Sequence, residues 1–352
     1  VYIPRVFNKN RQKLFFFWNQ EDWPTRTTIN GQVTTPTALE RAGDFSHSTV
    51  LAHDASGPTR QPVQLVYPAG SPCAGQPIPG NNLQNLSPSC PIPGAASNIS
   101  NGLLNFIPAP NISGAAPDTQ NFHFVTSTLN DNDDLNIRVN RALGGSSAGP
   151  RQRGPRNNLS FGFHCRAATA NITNPFPSVG GTTSSRSFDV PIGYTRTFGK
   201  MINNARFDFN RTRIRTQNLY ASQQNIAGDL GITGISNNPF DWELPNLSFT
   251  NFGSLTDTNP QLLRNQTWTF SDSLIWNHGK HTVRWGGDFR RTQINSEADG
   301  NPRGTFVFTG AYSGYDLADF LLGIAQQTSV QFGPNQTSTN NYHFRGNSWD
   351  LF

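Results

Sequence analysis

The sequence predicts an all-β fold: about eight antiparallel strands of a transmembrane β-barrel, with long extracellular loops at one rim and short turns at the other. Three observations predict it. The composition is rich in aromatic residues and poor in charge, strand-like segments alternate strictly between apolar and polar residues, and long and short connections alternate along the chain.

The composition separates this chain from ordinary soluble enzymes. Only 14% of the 352 residues are charged and 35% are hydrophobic, while Phe alone contributes 26 residues. A soluble enzyme of this length normally has a more charged surface and a core with more Leu, Ile and Ala. Strands with one lipid face and one wet face have the observed composition. A secreted β-sandwich has it too, and stays open as an alternative.

Charge and hydropathy exclude two further classes. The net charge is +5, but many arginines lie inside strand-like runs, with no dense basic patch interleaved with aromatics. We therefore expect no nucleic-acid partner. No stretch of about 18 apolar residues is present, so no transmembrane helix is predicted. The chain has no signal peptide and both of its ends look cut, so we interpret it as a segment of a longer protein.

Strict alternation identifies the strands, because successive side chains of a strand face opposite sides. In one example, Phe188, Val190 and Ile192 alternate with Asp189 and Pro191. The same pattern predicts eight strands, at about 13–21, 133–142, 157–167, 186–198, 201–215, 265–277, 281–294 and 341–352.

The connections between these strands are unequal. Residues 198–200 and 277–280 contain a Gly suited to a tight hairpin turn. Residues 22–131, 217–263 and 295–340 form long connections without predicted strands, and another long connection follows the third strand. Short turns at one rim and long loops at the other are typical of outer-membrane barrels.

Three local features complicate this pattern. The basic segment 143–156 is longer than a tight turn, although it falls on the short-turn rim. Residues 315–323 (YDLADFLLG) predict a short helix inside the last long loop. Cys73 and Cys90 flank a Pro- and Gly-rich stretch and could close a loop disulfide, which implies an oxidising compartment. Alternatively, they and Cys165 are three unrelated thiols.

Several phrases of the sequence resemble, in order, those of the Oar-like TonB-dependent receptors. They are residues 3–21, 35–46 (TPTALERAGDFS), 103–110 (LLNFIPAP), 279–291 (GKHTVRWGGDFRR), 316–323 (DLADFLLG) and 347–352 (NSWDLF). The resemblance implies an outer-membrane barrel of about 22 strands around an N-terminal plug. It makes residues 1–352 a partial barrel domain, without the plug, a preceding immunoglobulin-like domain and the closing strands.

The same resemblance implies function. The full receptor would take up a bulky, scarce solute, with energy supplied by the TonB-ExbB-ExbD system through the plug. A siderophore, glycan, oligopeptide or cobalamin remain open as the solute. Ligand capture would fall to the three long loops, because loops carry specificity on a rigid scaffold. We assign no individual ligand-binding residue.

Candidate chemical sites are weak, and we expect no catalytic, metal or cofactor site and no enzyme. His278 and His281 lie three apart, but in a turn without accompanying ligands. Asp131, Asp133 and Asp134 lack the Gly and Glu of a calcium loop. Residues 144–154 lack the Gly-Lys-Ser/Thr of a phosphate loop.

Two sets of side chains have stronger positional interpretations. Alternation predicts that one set of arginines faces the lumen in a structural role, namely Arg138, Arg206, Arg284 and Arg290. Trp268, Trp276 and Trp285 are predicted on the lipid face or in the interface belt, and a sugar-stacking role is the alternative.

Three other functions or folds remain open. A barrel of this kind could act in surface attachment or export. A secreted β-sandwich could bind glycans with inward Trp and Phe. Eight strands could close into a small barrel, which the long loops disfavour. As an isolated segment the sheet would have two open edges, so we expect the chain alone to aggregate.

Overall fold

The structure, a computed structural model, describes residues 13–54, 57–116, 119–143, 157–333 and 341–352. Its strands are β1 (Leu14–Asp22), β2 (Thr25–Val33), β3 (Thr49–Asp54), β4 (Gly57–Pro62), β5 (Phe122–Leu143), β6 (Asn157–Ile172), β7 (Gly181–Phe198), β8 (Met201–Asn218), β9 (Asn246–Phe249), β10 (Gln261–His278), β11 (His281–Ala298), β12 (Asn301–Phe308), β13 (Gln327–Gln331) and β14 (Asn341–Leu351). Its helices are α1 (Ala38–Arg41), α2 (Ser97–Leu104), α3 (Ile226–Asp229) and α4 (Asp316–Leu322).

One large antiparallel sheet dominates the molecule. Its nine strands follow the order β1-β5-β6-β7-β8-β10-β11-β14, with β2 beside β5. All eight predicted strands are present, and most extend further toward the long loops. The predicted all-β antiparallel fold is confirmed.

The first predicted strand continues past its expected end. β1 and β2 pair with β5 in one continuous register, so they form one long strand with an interruption at Trp23 and Pro24. The backbone N–H of Trp23 still donates to the oxygen of Asn132 at 3.1 Å. Pro24 has no N–H to donate, which explains the interruption.

The two short turns form as predicted. Phe198 pairs with Met201 and His278 pairs with His281, so each turn has two central residues. Gly199 (φ 59°) and Gly279 (φ 62°) come first in these turns, as type II′ hairpins require.

The large sheet keeps a constant register, so each row of cross-strand neighbours stays on one face. One row crosses eight strands and is apolar throughout: Phe16, Val139, Phe161, Ile192, Phe207, Phe270, Phe289 and Trp349. We call its side of the sheet the apolar face, and the opposite side the polar face. Trp349 of this row is 73% exposed. Within the described ranges no second sheet covers the apolar face, so the β-sandwich alternative is wrong.

A proline in the middle of β7 is accommodated by a glycine on the neighbouring strand. Gly162 of β6 lies opposite Pro191, between the pairs that Phe161 and His164 make with β7. A Cβ at Gly162 would lie 2.7 Å from Cγ of Pro191. The missing side chain therefore makes room for the ring in a position where Pro also removes a ladder hydrogen bond.

The sheet is open. In the part of the chain that the structure describes, β1 and β14 do not pair with each other, so the closed eight-stranded barrel is wrong. None of the described helices is long and apolar enough to cross a membrane.

The long connections differ from the expected structureless loops. They contain β2, two small sheets (β13-β12-β9 and β3-β4) and all four helices. The helix predicted over residues 315–323 is present as α4. The connection after the third predicted strand shrinks to residues 173–180, because β6 and β7 are longer than predicted. The segment 144–156 lies outside the described residues.

Candidate ligand-binding loop domain

The long connections pack together at one end of the large sheet. We call the described parts of residues 34–121, 173–180, 219–260 and 299–333 the loop domain. Its core is one hydrophobic cluster that draws side chains from all four segments, including Phe45, Phe176, Leu244 and Phe320. The loops therefore form a structured unit with its own core.

Helix α4 is the centre of this core. All seven of its residues are buried. The ring of Phe320 meets the rings of Phe249 and Phe308 edge-on at 5.4 and 5.3 Å. Gly323 ends the helix in a left-handed conformation (φ 73°), and the N–H of Ala96 donates to the oxygen of Leu322 at 2.9 Å. The helix thereby joins the first and last long loops.

Two carboxylates of α4 are buried with it. Asp316 accepts hydrogen bonds from the backbone N–H and the side-chain amide of Asn251 at 2.6 and 3.2 Å. Asp319 accepts from the N–H and hydroxyl of Ser313 at 2.7 and 2.6 Å. Burial raises the pKa of both aspartates, and these hydrogen bonds oppose the rise. Asp316 thus connects α4 to the segment that follows β9, and Asp319 connects it to the segment that precedes the helix.

Residues 35–46, which carry part of the family resemblance, form a capped turn. Thr37 and Glu40 make a capping box at the start of α1, and the Ser48 hydroxyl donates to Glu40 Oε1 at 2.7 Å. Arg41 donates to the carbonyls of Leu104 at 3.2 Å and of Ile107. Burial lowers the pKa of Arg41. The turn thus holds the end of α2 in place.

Beside this turn lies a cavity of the loop domain, which we call the loop cavity. Its volume is about 500 Å³, within the usual size range of small-molecule sites. The walls are mainly apolar, from Leu86, Pro91, Ile92 and Leu321 among others, and Asn101 projects from α2. Cys90 also lines the cavity.

Cys73 and Cys90 form a disulfide, so the pairing considered from the sequence is confirmed. Cys165 lies apart from them on β6. The bridge joins two cysteines that are 17 positions apart in the sequence. Through Cys90 it fixes one wall of the loop cavity. It restrains a wall that contains little regular secondary structure.

A second group of buried charges lies under the loops after β8 and β11. Arg303, 1% exposed, donates to the main-chain oxygen of Asp241 at 2.7 Å and to Asn225 at 3.0 Å. Burial raises the pKa of Glu243 to about 9 and that of Asp257 to about 6. It lowers the pKa of Arg303 to about 10. At neutral pH, Glu243 therefore carries its proton while Arg303 stays charged.

The candidate metal ligands lie in two separate places, the turn between β10 and β11 and the strand β5. His278 and His281 face each other across a hairpin turn. Asp134 accepts from His164 at 2.9 Å and from Arg166 at 3.0 Å, an ion-paired arrangement rather than a calcium loop. Among the described side chains no group of three or more His, Cys, Asp or Glu could hold a metal ion.

The lumen arginines lie on the polar face, as alternation predicted. Arg206 forms an ion pair with Asp208 on the same strand at 2.7 Å, and the guanidinium of Arg284 lies 5.2 Å from the ring of Phe352. Trp276 and Trp285 lie on the apolar face, next to the short turn between β10 and β11. Their position supports the membrane-interface interpretation over sugar stacking.

The sequence reasoning missed two features. One is the buried charge group around Arg303, which has no local motif. The other is a set of arginines on the apolar face, which alternation could have found. Arg211, Arg213 and Arg215 have the same parity as Phe207 and Phe209 in β8.

An antiparallel sheet with one exposed apolar face, tight turns at one rim and long loops at the other is the architecture of an outer-membrane barrel. A family model described as an outer membrane beta barrel domain matches residues 6–352. The chain therefore belongs to this family, which indicates the outer membrane as its location. No curated protein matches the chain, and no solved structure does.

Proposed function

We propose that the chain is the barrel portion of a TonB-dependent receptor that takes up a bulky solute captured by the loop domain. The observation that carries this proposal is the loop domain itself. Four connections from different parts of the sheet share one core, and two of them, residues 34–121 and 299–333, line a cavity of about 500 Å³ at the long-loop rim. A structured cavity at that rim suits capture of a solute from outside the cell.

The lining favours a solute with both apolar and hydrogen-bonding groups. Seven of the sixteen lining residues are leucine, isoleucine or proline. The side chains of Ser97 and Asn101 also line it and make no hydrogen bond to other described residues. A siderophore, an oligopeptide or a glycan with an apolar face matches this mixture. No covalent chemistry is part of the proposal, and we propose that the protein is not an enzyme.

The proposed receptor also needs further strands and a plug. Within the described ranges, β1 and β14 are the two edges of the large sheet, and lipid does not tolerate an open sheet edge. We propose that additional strands pair with these edges and that a plug fills the wide lumen. The polar face, with Arg138 and Arg290, would then contact the plug, and the plug would contact TonB.

The test uses the complete reading frame of the source gene, expressed in its own outer membrane. We expect a plug with a TonB box upstream and further alternating strands downstream. Site-specific crosslinking should then join the plug to the periplasmic domain of TonB. A complete protein without a plug, or one that never crosslinks to TonB, would overturn energised uptake.

Uptake itself is measured with labelled probes from each class: a ferric hydroxamate siderophore, a maltodextrin and a mixed oligopeptide. Accumulation that needs both the receptor gene and TonB supports transport. Surface binding of host cells or matrix without accumulation of any probe would favour the attachment function. Asn101→Leu, inside the cavity, should weaken capture, whereas Asn105→Leu, just beyond the end of α2, serves as the control.

A further inference from the structure

The apolar face of the sheet carries arginines toward its long-loop end. We call Arg186, Arg211, Arg213, Arg215, Arg264 and Arg291 the arginine cluster. Cross-strand register puts Arg186, Arg213 and Arg264 side by side in one row on β7, β8 and β10. β8 adds Arg211 and Arg215 on either side of Arg213 in the same face.

The row of Arg186, Arg213 and Arg264 lies just beyond the apolar band, and Arg291 lies at its edge, opposite Trp268. Trp268 and Trp276 stand eight positions apart on β10, or roughly 20 Å in depth for a tilted strand. Arg264 is four positions beyond Trp268 toward the long loops, or about 10 Å further. This depth corresponds to the headgroup layer of the surrounding lipid, on the outer side of the membrane.

The charges of the cluster are not neutralised by the protein. Within the described residues, none of the six guanidinium groups makes an ion pair or a hydrogen bond. The carboxylates on the same face at this level are Asp22 on β1, Asp131 and Asp133 on β5, and Glu297 on β11. The register places β6 between the aspartates of β5 and Arg186, and it places Leu262 of β10 between Glu297 and Arg215. Like charges directly opposite each other destabilise a sheet, so the row favours an external anion.

A surface cavity next to the row of arginines is a candidate binding site for that anion. It has a volume of about 410 Å³ and lies over β6, β7 and β8. Arg186, Arg211 and Arg213 line it, while Ala167 and Ser184 are small enough to leave it open. Guanidinium groups bind phosphate oxygens in pairs of parallel hydrogen bonds, so three of them around one surface cavity fit a phosphate.

We propose that the arginine cluster binds the phosphate groups of membrane lipids in the leaflet next to the long loops. The occupant is a lipid because the surface cavity opens on the face that meets the bilayer, at headgroup depth. Bound phosphate would neutralise the row and fix the height of the barrel in the membrane.

The experiment uses the complete protein in phosphatidylcholine nanodiscs with a minority of diphosphoryl lipid A. Native mass spectrometry counts lipid A that stays bound after gentle extraction. The triple variant R186Q/R213Q/R264Q should hold it roughly tenfold to a hundredfold more weakly. The matched variant R186K/R213K/R264K keeps the charge and should lose much less. Arg196→Gln, an apolar-face arginine near the short turns, should change nothing.

Three results would overturn the proposal. Unchanged lipid A binding by the glutamine variant would mean that the arginine cluster is not the binding site. Equal binding of dephosphorylated lipid A would mean that the cluster does not recognise the phosphate groups. Full competition by inorganic phosphate at equal concentration assigns the site to a soluble anion instead of a lipid. If the triple glutamine variant does not fold, the single variant R213Q, at the centre of the row, provides the same test with a smaller loss.

Discussion

The loop domain and the large sheet use apolar side chains in opposite ways. In the loop domain, Phe320 and Leu317 are completely buried among other side chains. In the sheet, Phe270 is half exposed and Leu351 is 91% exposed. The loop domain thus folds as a water-soluble protein does, by removing apolar area from water. The sheet instead presents its apolar area to lipid and holds itself together through its hydrogen-bond ladder.

This difference predicts that the two regions can be destabilised independently. The largest effect is expected from Phe320→Ala, which removes the ring at the centre of the loop-domain core. The loss should be about 3–5 kcal/mol of loop-domain stability, while the sheet stays folded. Limited proteolysis of the membrane-inserted protein checks it, with cleavage confined to the loops. Tyr312→Ala, an exposed aromatic in the same loop, should leave the cleavage pattern unchanged.

The converse substitution acts on the sheet alone. Phe270→Arg puts a charge in the middle of the apolar face, at an expected cost of about 2–4 kcal/mol for a barrel in lipid. Ser271→Arg, the next residue on the polar face, should cost much less. Urea titration of the complete protein in vesicles measures both. Equal losses for the two variants would mean that the apolar face does not meet lipid.

The disulfide should matter only to the loop domain. The double variant Cys73→Ser/Cys90→Ser removes a crosslink between residues 17 positions apart. This loss should cost about 2–3 kcal/mol of loop-domain stability. Cys165→Ser on β6 is the control. Protease resistance of the loops at rising temperature compares the two. A barrel that melts earlier in the double variant would show that the regions are coupled.

The sequence predicted the sheet much better than the loop domain, for a physical reason. Alternation reports a difference between two environments, and every strand of the sheet has lipid on one side. The local sequence is therefore enough to predict that Phe207 lies on the apolar face and Arg206 on the polar face. Side chains of the loop domain meet only after the whole chain has folded. Arg303 contacts Asn225 and Asp241, more than sixty positions away, and no local pattern marks them.

The candidate site was predictable only as a region. Long loops at one rim indicated where a ligand would bind, and Cys73 and Cys90 indicated a restrained segment there. The walls of the cavity come from α1, α2, the disulfide segment and α4. Their meeting depends on contacts such as that of Arg41 with the end of α2, between residues far apart in the chain.

Over a single pH unit, the smallest effect is a pH dependence confined to the loop domain. Burial raises the pKa of Glu243 from its ordinary 4.5 to about 9, so the folded state keeps a proton that the unfolded chain has released. The stability of the loop domain should therefore fall as the pH rises between these values, by up to about 1.4 kcal/mol per pH unit. Glu243→Gln, which needs no proton, should flatten this dependence, whereas Asp229→Asn at an exposed carboxylate should keep it. Loop proteolysis from pH 5 to pH 9 measures the slope. A slope that survives in Glu243→Gln would assign the lost proton to Asp241 or Asp257 instead.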